Sequence, residues 1–212
     1  FVRGQPSSWG TFASVRSADG YANAVIAADL NWQAGTEHQW IAQLAGSYAH
    51  ADAAAGAGAS ESDFAVTATH IYSHGNYSAY SDYSEIGPGF RADLGSLPRT
   101  DTRTLAHSSG FRFPHAAGSL LSETAVDAAA FYTDDRHGLM LDGSLSLSAF
   151  VSFANEITLS SSVSSSASRD DSVLIRAHDA DLSASVPLHA HLEAQVEFTR
   201  DARGVAVPRA AR

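Results

Sequence analysis

The chain has 212 residues, no cysteine and a formal charge of −10, which excludes a disulfide framework and a thiolate metal site and opposes nucleic-acid binding, since that needs a basic face. All 13 basic residues are arginine, a usage that fits a GC-rich genome better than any functional demand. No run of about eighteen apolar residues occurs, so a transmembrane helix is excluded, while a mean hydropathy near zero leaves a membrane β-barrel open, because lipid-facing and lumen-facing residues alternate and average out.

The chain starts at Phe1 without an initiator Met or a signal peptide, which predicts a processed or partial product. Residues 9–15 alternate weakly through Trp9, Thr11, Ala13 and Val15 before a turn at Ala18-Asp19-Gly20. Residues 21–33 alternate clearly. Ala22, Ala24, Ile26, Ala28, Leu30 and Trp32 form one face, and Asn23, Asp29, Asn31 and Gln33 dominate the other. Successive side chains of a strand point to opposite faces, so this is a two-faced β-strand. Gly35-Thr36 reads as a hairpin turn. Residues 38–52 follow, with Trp40, Ala42, Leu44, Gly46 and Tyr48 on one side and Gln39, Gln43 and Ser47 on the other.

The small, glycine-rich residues 53–62 predict a loop, and 63–73 return to alternation through Phe64, Val66, Ala68 and Tyr72. After a turn at His74-Gly75-Asn76, residues 76–84 carry three tyrosines on a mixed pattern. Residues 86–103 differ: Pro88, Pro98, three glycines and alternating charges oppose a central strand and predict an irregular segment leading into a strand at about 102–113. A loop at 114–119 and a less regular strand at 120–133 precede the polar turn at 134–138.

The clearest strand is 139–153. Leu139, Leu141, Gly143, Leu145, Leu147, Ala149, Val151 and Phe153 share one face, opposite a face of mostly serine and aspartate. A polar-rich strand through Ile157, Leu159, Ser161, Val163, Ser165 and Ala167 comes next, then Val173, Ile175 and Ala177. Leu182, Ala184, Val186 and Leu188 alternate on the opposite parity, which predicts a bulge or short turn near Asp179 and requires Pro187 to lie at a strand end. Residues 189–199 close the pattern with Ala190, Leu192, Ala194, Val196 and Phe198 on one face.

Ten to twelve strands joined by short turns, with no helical period, predict an all-β antiparallel up-and-down meander filling residues 1–212 as a single region. Several segments hold their phase for about eleven to fifteen residues. That is enough to cross a bilayer and longer than the five or six usual in soluble sheets. The apolar faces are built of small and medium residues with aromatics near their ends, as lipid-facing surfaces with interfacial girdles would be. The expectation is a transmembrane β-barrel or an arc of a larger one, in the cell outer membrane, with membrane lipid and other subunits or the remainder of its own chain as partners. A soluble sandwich or solenoid, secreted for adhesion or glycan binding, is the alternative. The terminal Val207-Pro208-Arg209-Ala210-Ala211-Arg212 lacks a final aromatic, which favours an arc of a longer sheet.

Two stretches carry a family resemblance. Asp19-Gly20-Tyr21-Ala22-Asn23-Ala24-Val25-Ile26-Ala27-Ala28-Asp29 is similar to a D-G-Y-x-N-x-V-x-G-x-D strand, with Ala27 where glycine is frequent. Phe90-Arg91-Ala92-Asp93-Leu94-Gly95, followed by Arg99-Thr100-Asp101 and Arg103, is similar to a phenylalanine, (D/E)-(L/V)-G, arginine and R-x-D pattern. Together they resemble the C-terminal barrel region of DUF5916-type Gram-negative outer-membrane proteins, in which a domain like a family 9 carbohydrate-binding module precedes the barrel. The resemblance covers about residues 9–113 and implies an outer-membrane barrel. The sugar-binding domain of that family has no counterpart in these residues.

Arg91, Asp93, Arg99, Asp101 and Arg103 form the densest charge group. They are candidates for a pore-lining constriction, since charge in a lumen filters solutes. A salt-bridged turn that anchors strand register is the plainer alternative. His189, His191 and Glu193 share a strand face and could ligate a transition metal, but an ordinary polar lumen face is the better account of them. The serine run 160–168 fits such a face too. No G-x-S-x-G elbow and no glycine-rich phosphate loop before a helix occurs. The expectation is therefore a non-enzymatic pore or scaffold without cofactor or metal, with a translocation barrel of autotransporter or usher type as a further alternative.

Overall fold

The computed structural model describes residues 7–51, 60–93, 99–170, 173–189 and 192–206. The alternating segments become β1 (Ser8–Ala18), β2 (Tyr21–Ala34), β3 (His38–Ala51), β4 (Ser60–His74), β5 (Tyr77–Ile86), β6 (Thr102–Pro114), β7 (Leu121–Asp134), β8 (Met140–Phe153), β9 (Thr158–Asp170), β10 (Val173–His189) and β11 (Leu192–Ala206). They make one sheet in sequence order, an antiparallel meander in which every strand bonds to its chain neighbours. Among the described residues β1 and β11 are the edges of the sheet. β4 already starts at Ser60, inside the loop expected at 53–62; the rest of that expectation, 53–59, lies outside the described residues.

One expectation is corrected. β10 is a single strand of 17 residues without a bulge near Asp179. It pairs in unbroken register with β9 from Val173↔Asp170 to Ser185↔Thr158. Bonding on both sides holds the ladder, so the change of parity in the sequence is a change in which face is apolar. Val173, Ile175 and Ala177 share a side with Asp179 and Asp181, and Leu182 stands opposite Ser161 and Phe198 on the other. The one register shift falls between Pro187 and His189, at the strand end where a proline costs no central ladder bond.

The chain divides into two compact units, 1–72 with 80–105 and 133–139, and 73–79 with 106–132 and 140–212. In the first unit the face of Trp32, Leu30, Ile26 and Ala24 continues across its register partners Trp40, Ala42, Gly46 and Tyr48 and on to His70, Ala68, Phe64 and Ser62 of β4. This face is bare. Ile26 is 67% exposed and Leu44 58%. The opposite face holds Asn23, Ala45, Ser47 and Ala49, all buried.

Water-soluble sheets bury the apolar side, and here it is part of the polar side that is covered, around Asn23, Ser47 and Ala49, while Asp29 and Gln43 further along it are exposed. Phe12, exposed on the polar-side parity of β1, is an exception. The second unit repeats the pattern: Leu145, Leu147 and Val163 share one exposed side. On the other, the β9 serines bond across strands, Ser160 to Ser183 at 2.6 Å and Ser162 and Ser164 to Asp181 and Asp179 at 3.3 Å each.

Candidate functional site

What covers the polar face of the first unit is the irregular stretch that follows β5. Residues 87–93 leave the ladder and run across the strands, from β4 over β3 and β2 to β1. Gly87 N–H donates to the Phe64 carbonyl at 2.9 Å, and Gly89 N–H donates to Asp63 Oδ2 at 3.0 Å. Arg91 N–H donates to Ser47 Oγ at 3.0 Å. Asn23 Nδ2 donates to the Arg91 carbonyl at 3.1 Å, and Asn23 Oδ1 accepts from Asp93 N–H at 3.4 Å. Tyr21 Oη donates to Asp93 Oδ2 at 2.5 Å.

Irregular backbone has donors and acceptors that no neighbouring strand satisfies, and buried ones must find partners. The polar parity of β2, β3 and β4 supplies them one strand at a time, through Asn23, Ser47 and Asp63. Ala45, Ser47 and Ala49 of β3 are buried, and so is Phe90 of the crossing segment. Gly87 and Gly89 come close to the side chains of β4. A Cβ on Gly87 would overlap the Asp63 carboxylate, and one on Gly89 would sit 2.6 Å from Glu61 Oε1.

The segment ends in a charge cluster. Asp93 lies 3.5 Å from Arg16 Nη1 and 3.9 Å from Arg91 Nε. Arg91 also stands over the Tyr21 ring at 5.5 Å. Both guanidiniums are about half exposed while Asp93 is nearly covered. The three charges sum to one positive charge, displayed toward open space on the polar side.

The five charged residues grouped by sequence do not form one site. Arg91 and Asp93 meet on the polar face. Arg103 turns away: its Nε and Nη2 bond both oxygens of Asp134 at 3.1 and 2.8 Å. It shares its strand parity with the exposed Leu105, so it stands on the apolar side. Asp134 is 4% exposed. Asp101 has a left-handed φ of 57° and one carboxylate oxygen buried without a hydrogen-bond partner, and Arg99 is exposed. Leu94 and Gly95 of the family-like pattern lie outside the described residues, as do His191 and the side chains of His189 and Glu193.

Beside the Arg103–Asp134 pair, Arg136 lies 3.2 Å from Glu85 and 3.8 Å from Asp63, and Tyr83 Oη donates to Glu85 at 2.6 Å. One further cluster escaped sequence spacing. His38 and His70, 32 residues apart, bring Nδ1 and Nε2 within 3.0 Å. Trp40 stacks on His70 with centroids 4.0 Å apart, and Tyr72 packs against His38. The β3–β4 register was the missing signal, since it sets His70 opposite Trp40 and Tyr72 opposite His38. Comparison of the chain with protein-family models, curated proteins and solved structures gives no match.

Proposed function

We propose that this chain is part of the wall of an outer-membrane β-barrel, a non-enzymatic passive pore or scaffold with the 87–93 segment narrowing its polar side. The observation that carries the proposal is the inversion within the first unit: a bare apolar face, and a polar face partly covered by residues 87–93. A large exposed apolar surface needs a non-aqueous partner, and lipid is that partner once further strands pair the backbone groups at the β1 and β11 edges. Trp40 and Tyr48 bound the apolar run of β3, and its eight steps at roughly 3.4 Å cover about 27 Å along the strand, which at a barrel tilt of about 40° is about 20 Å of depth within an apolar band of about 25 Å. At one end of this face Trp9, Trp32, Trp40 and Tyr72 form the aromatic edge expected at a membrane interface.

On this reading the solute path runs along the polar face, and Arg91, Asp93 and Arg16 form its selective element. Arg103, on the lipid-side parity, is not part of that element. Lipid covers the apolar face, and further strands of the same chain or of other subunits complete the wall. The secreted sandwich rested on short strands and a second packed layer. Strands of 10–17 residues in one sheet favour the barrel instead.

The test is to produce the chain behind an outer-membrane targeting signal in a Gram-negative host and fractionate the cells. Recovery in the outer membrane, with detergent needed to extract it and keep it monodisperse, is expected. A protein that stays soluble and monodisperse without detergent overturns the proposal.

A further inference from the structure

We infer that Arg176 and His178, at one end of the exposed apolar side of β8–β10, form a binding site for the phosphate of an anionic membrane lipid. The site rests on the proposal that this side meets lipid. Residues two apart on a strand return to the same face, so β10 presents both side chains together. Their register partners on β9 are Ala167 and Ser165, and the partners of those on β8 are Gly143 and Leu145. Small residues beside the two long ones leave room. Gly143, Leu145, Ser165, Ala167, Arg176 and His178 line an open cavity of about 280 Å³.

Charge is segregated between the two faces here. The acids of these three strands, Asp142, Asp170, Asp179 and Asp181, all have the opposite parity. Ser164 and Ser162 hold Asp179 and Asp181 there, and Asp142 accepts from Ser168 Oγ at 2.6 Å. Arg176 is exposed, and on β11 the exposed Arg200 stands opposite Ala180, two residues beyond His178. A guanidinium takes two phosphate oxygens at once, and a neutral imidazole and the Ser165 hydroxyl each add a donor. Next along the same side come Leu147, Val163 and Leu182, exposed by 50%, 52% and 57%, a surface for an acyl chain. Free phosphate would leave that strip bare. With cations in excess and no carboxylate to receive an ammonium, a headgroup of net negative charge is favoured over a zwitterionic one.

Native mass spectrometry of the chain in a neutral detergent reads the site directly. One phosphatidylglycerol should stay bound at a concentration at which phosphatidylcholine of the same acyl chains does not, a comparison on the unmodified chain that needs no variant to fold. Arg176→Gln should weaken phosphatidylglycerol retention about tenfold, the worth of one charged hydrogen bond, and Arg176→Lys should weaken it less. Arg112→Gln, near the end of β6, should leave it unchanged. Excess inorganic phosphate should not displace the lipid. Equal retention of the two lipids, retention unchanged in Arg176→Gln, or displacement by inorganic phosphate overturns the assignment. If the chain is nonetheless recovered in the outer membrane, the lipid site alone falls and the barrel reading stands.

Discussion

Asn23 Nδ2 donates to the main-chain carbonyl of Arg91 at 3.1 Å, across 68 residues of sequence. That bond, together with the weaker one from Asp93 N–H to Asn23 Oδ1, makes one buried amide the peg on which the crossing segment hangs. Asn23 is 2% exposed, so its loss leaves backbone groups of the segment without a partner in a place water does not freely reach. Asn23→Ala should lower stability by about 1–3 kcal/mol, the cost of buried groups left unpaired. The segment should also open to trypsin. Faster cleavage after Arg91 in the folded, detergent-solubilised protein is the expected result, and an unchanged digestion rate would count against the peg.

Gly87 admits no side chain while Asp63 keeps its bond to Gly89. Gly87→Ala forces the Asp63 carboxylate aside. The expected loss is about 1–3 kcal/mol, the usual range for overpacking, read from the urea midpoint. Combining it with Asp63→Ala should cost less than the sum of the two single changes, because each removes the same bond.

Arg103 and Asp134 share two parallel hydrogen bonds. Removing the guanidinium leaves a buried carboxylate alone. Arg103→Ala should lower the midpoint of thermal or urea unfolding, by less than the loss of a fully buried pair would, because Arg103 is half exposed and partly screened. Arg103→Lys should recover only part of the loss, since an ammonium cannot make the two-pronged contact.

Leu44 stands mid-way along the apolar run of β3, and its side chain meets open space. In lipid vesicles Leu44→Arg should destabilise the folded state by about 2–4 kcal/mol, as charge does at a bilayer midplane. An arginine at His50, near the end of the same face, should cost no more than about 1 kcal/mol there. Equal, small effects at both positions would mean that the face meets water and not lipid.

Arg91 presents its charge beside Arg16 on the polar face. If solute passes there, Arg91→Glu should shift the permeability ratio toward cations in planar-bilayer recordings, and Arg103→Glu, on the other face, should leave that ratio unchanged. Equal effects of the two substitutions would detach selectivity from the crossing segment.

Much of the fold was legible because alternation is a local property. In β2, β3 and β8 each residue declares its face by its neighbours two positions away, so element type, approximate bounds and the apolar face follow from the chain alone. β10 shows the limit. Its apolar set changes parity, and only the bonds to β9 and β11 reveal that the strand runs on unbroken. The charge group around 91–103 shows another. Nearness in sequence joined Arg103 to Arg91, but a side chain near the start of β6 takes the face its own ladder assigns.

By itself, then, the sequence determined a two-faced antiparallel meander with strands long enough for a bilayer, and an irregular, glycine-containing stretch that could not be one of them. Tertiary structure alone decided where that stretch lies, which charges meet on it, and that His38 faces His70. The reason is physical. Strand pairing and the docking of residues 87–93 are set by hydrogen bonds between groups up to 72 residues apart. No local pattern encodes such a bond until register fixes which side chains stand side by side.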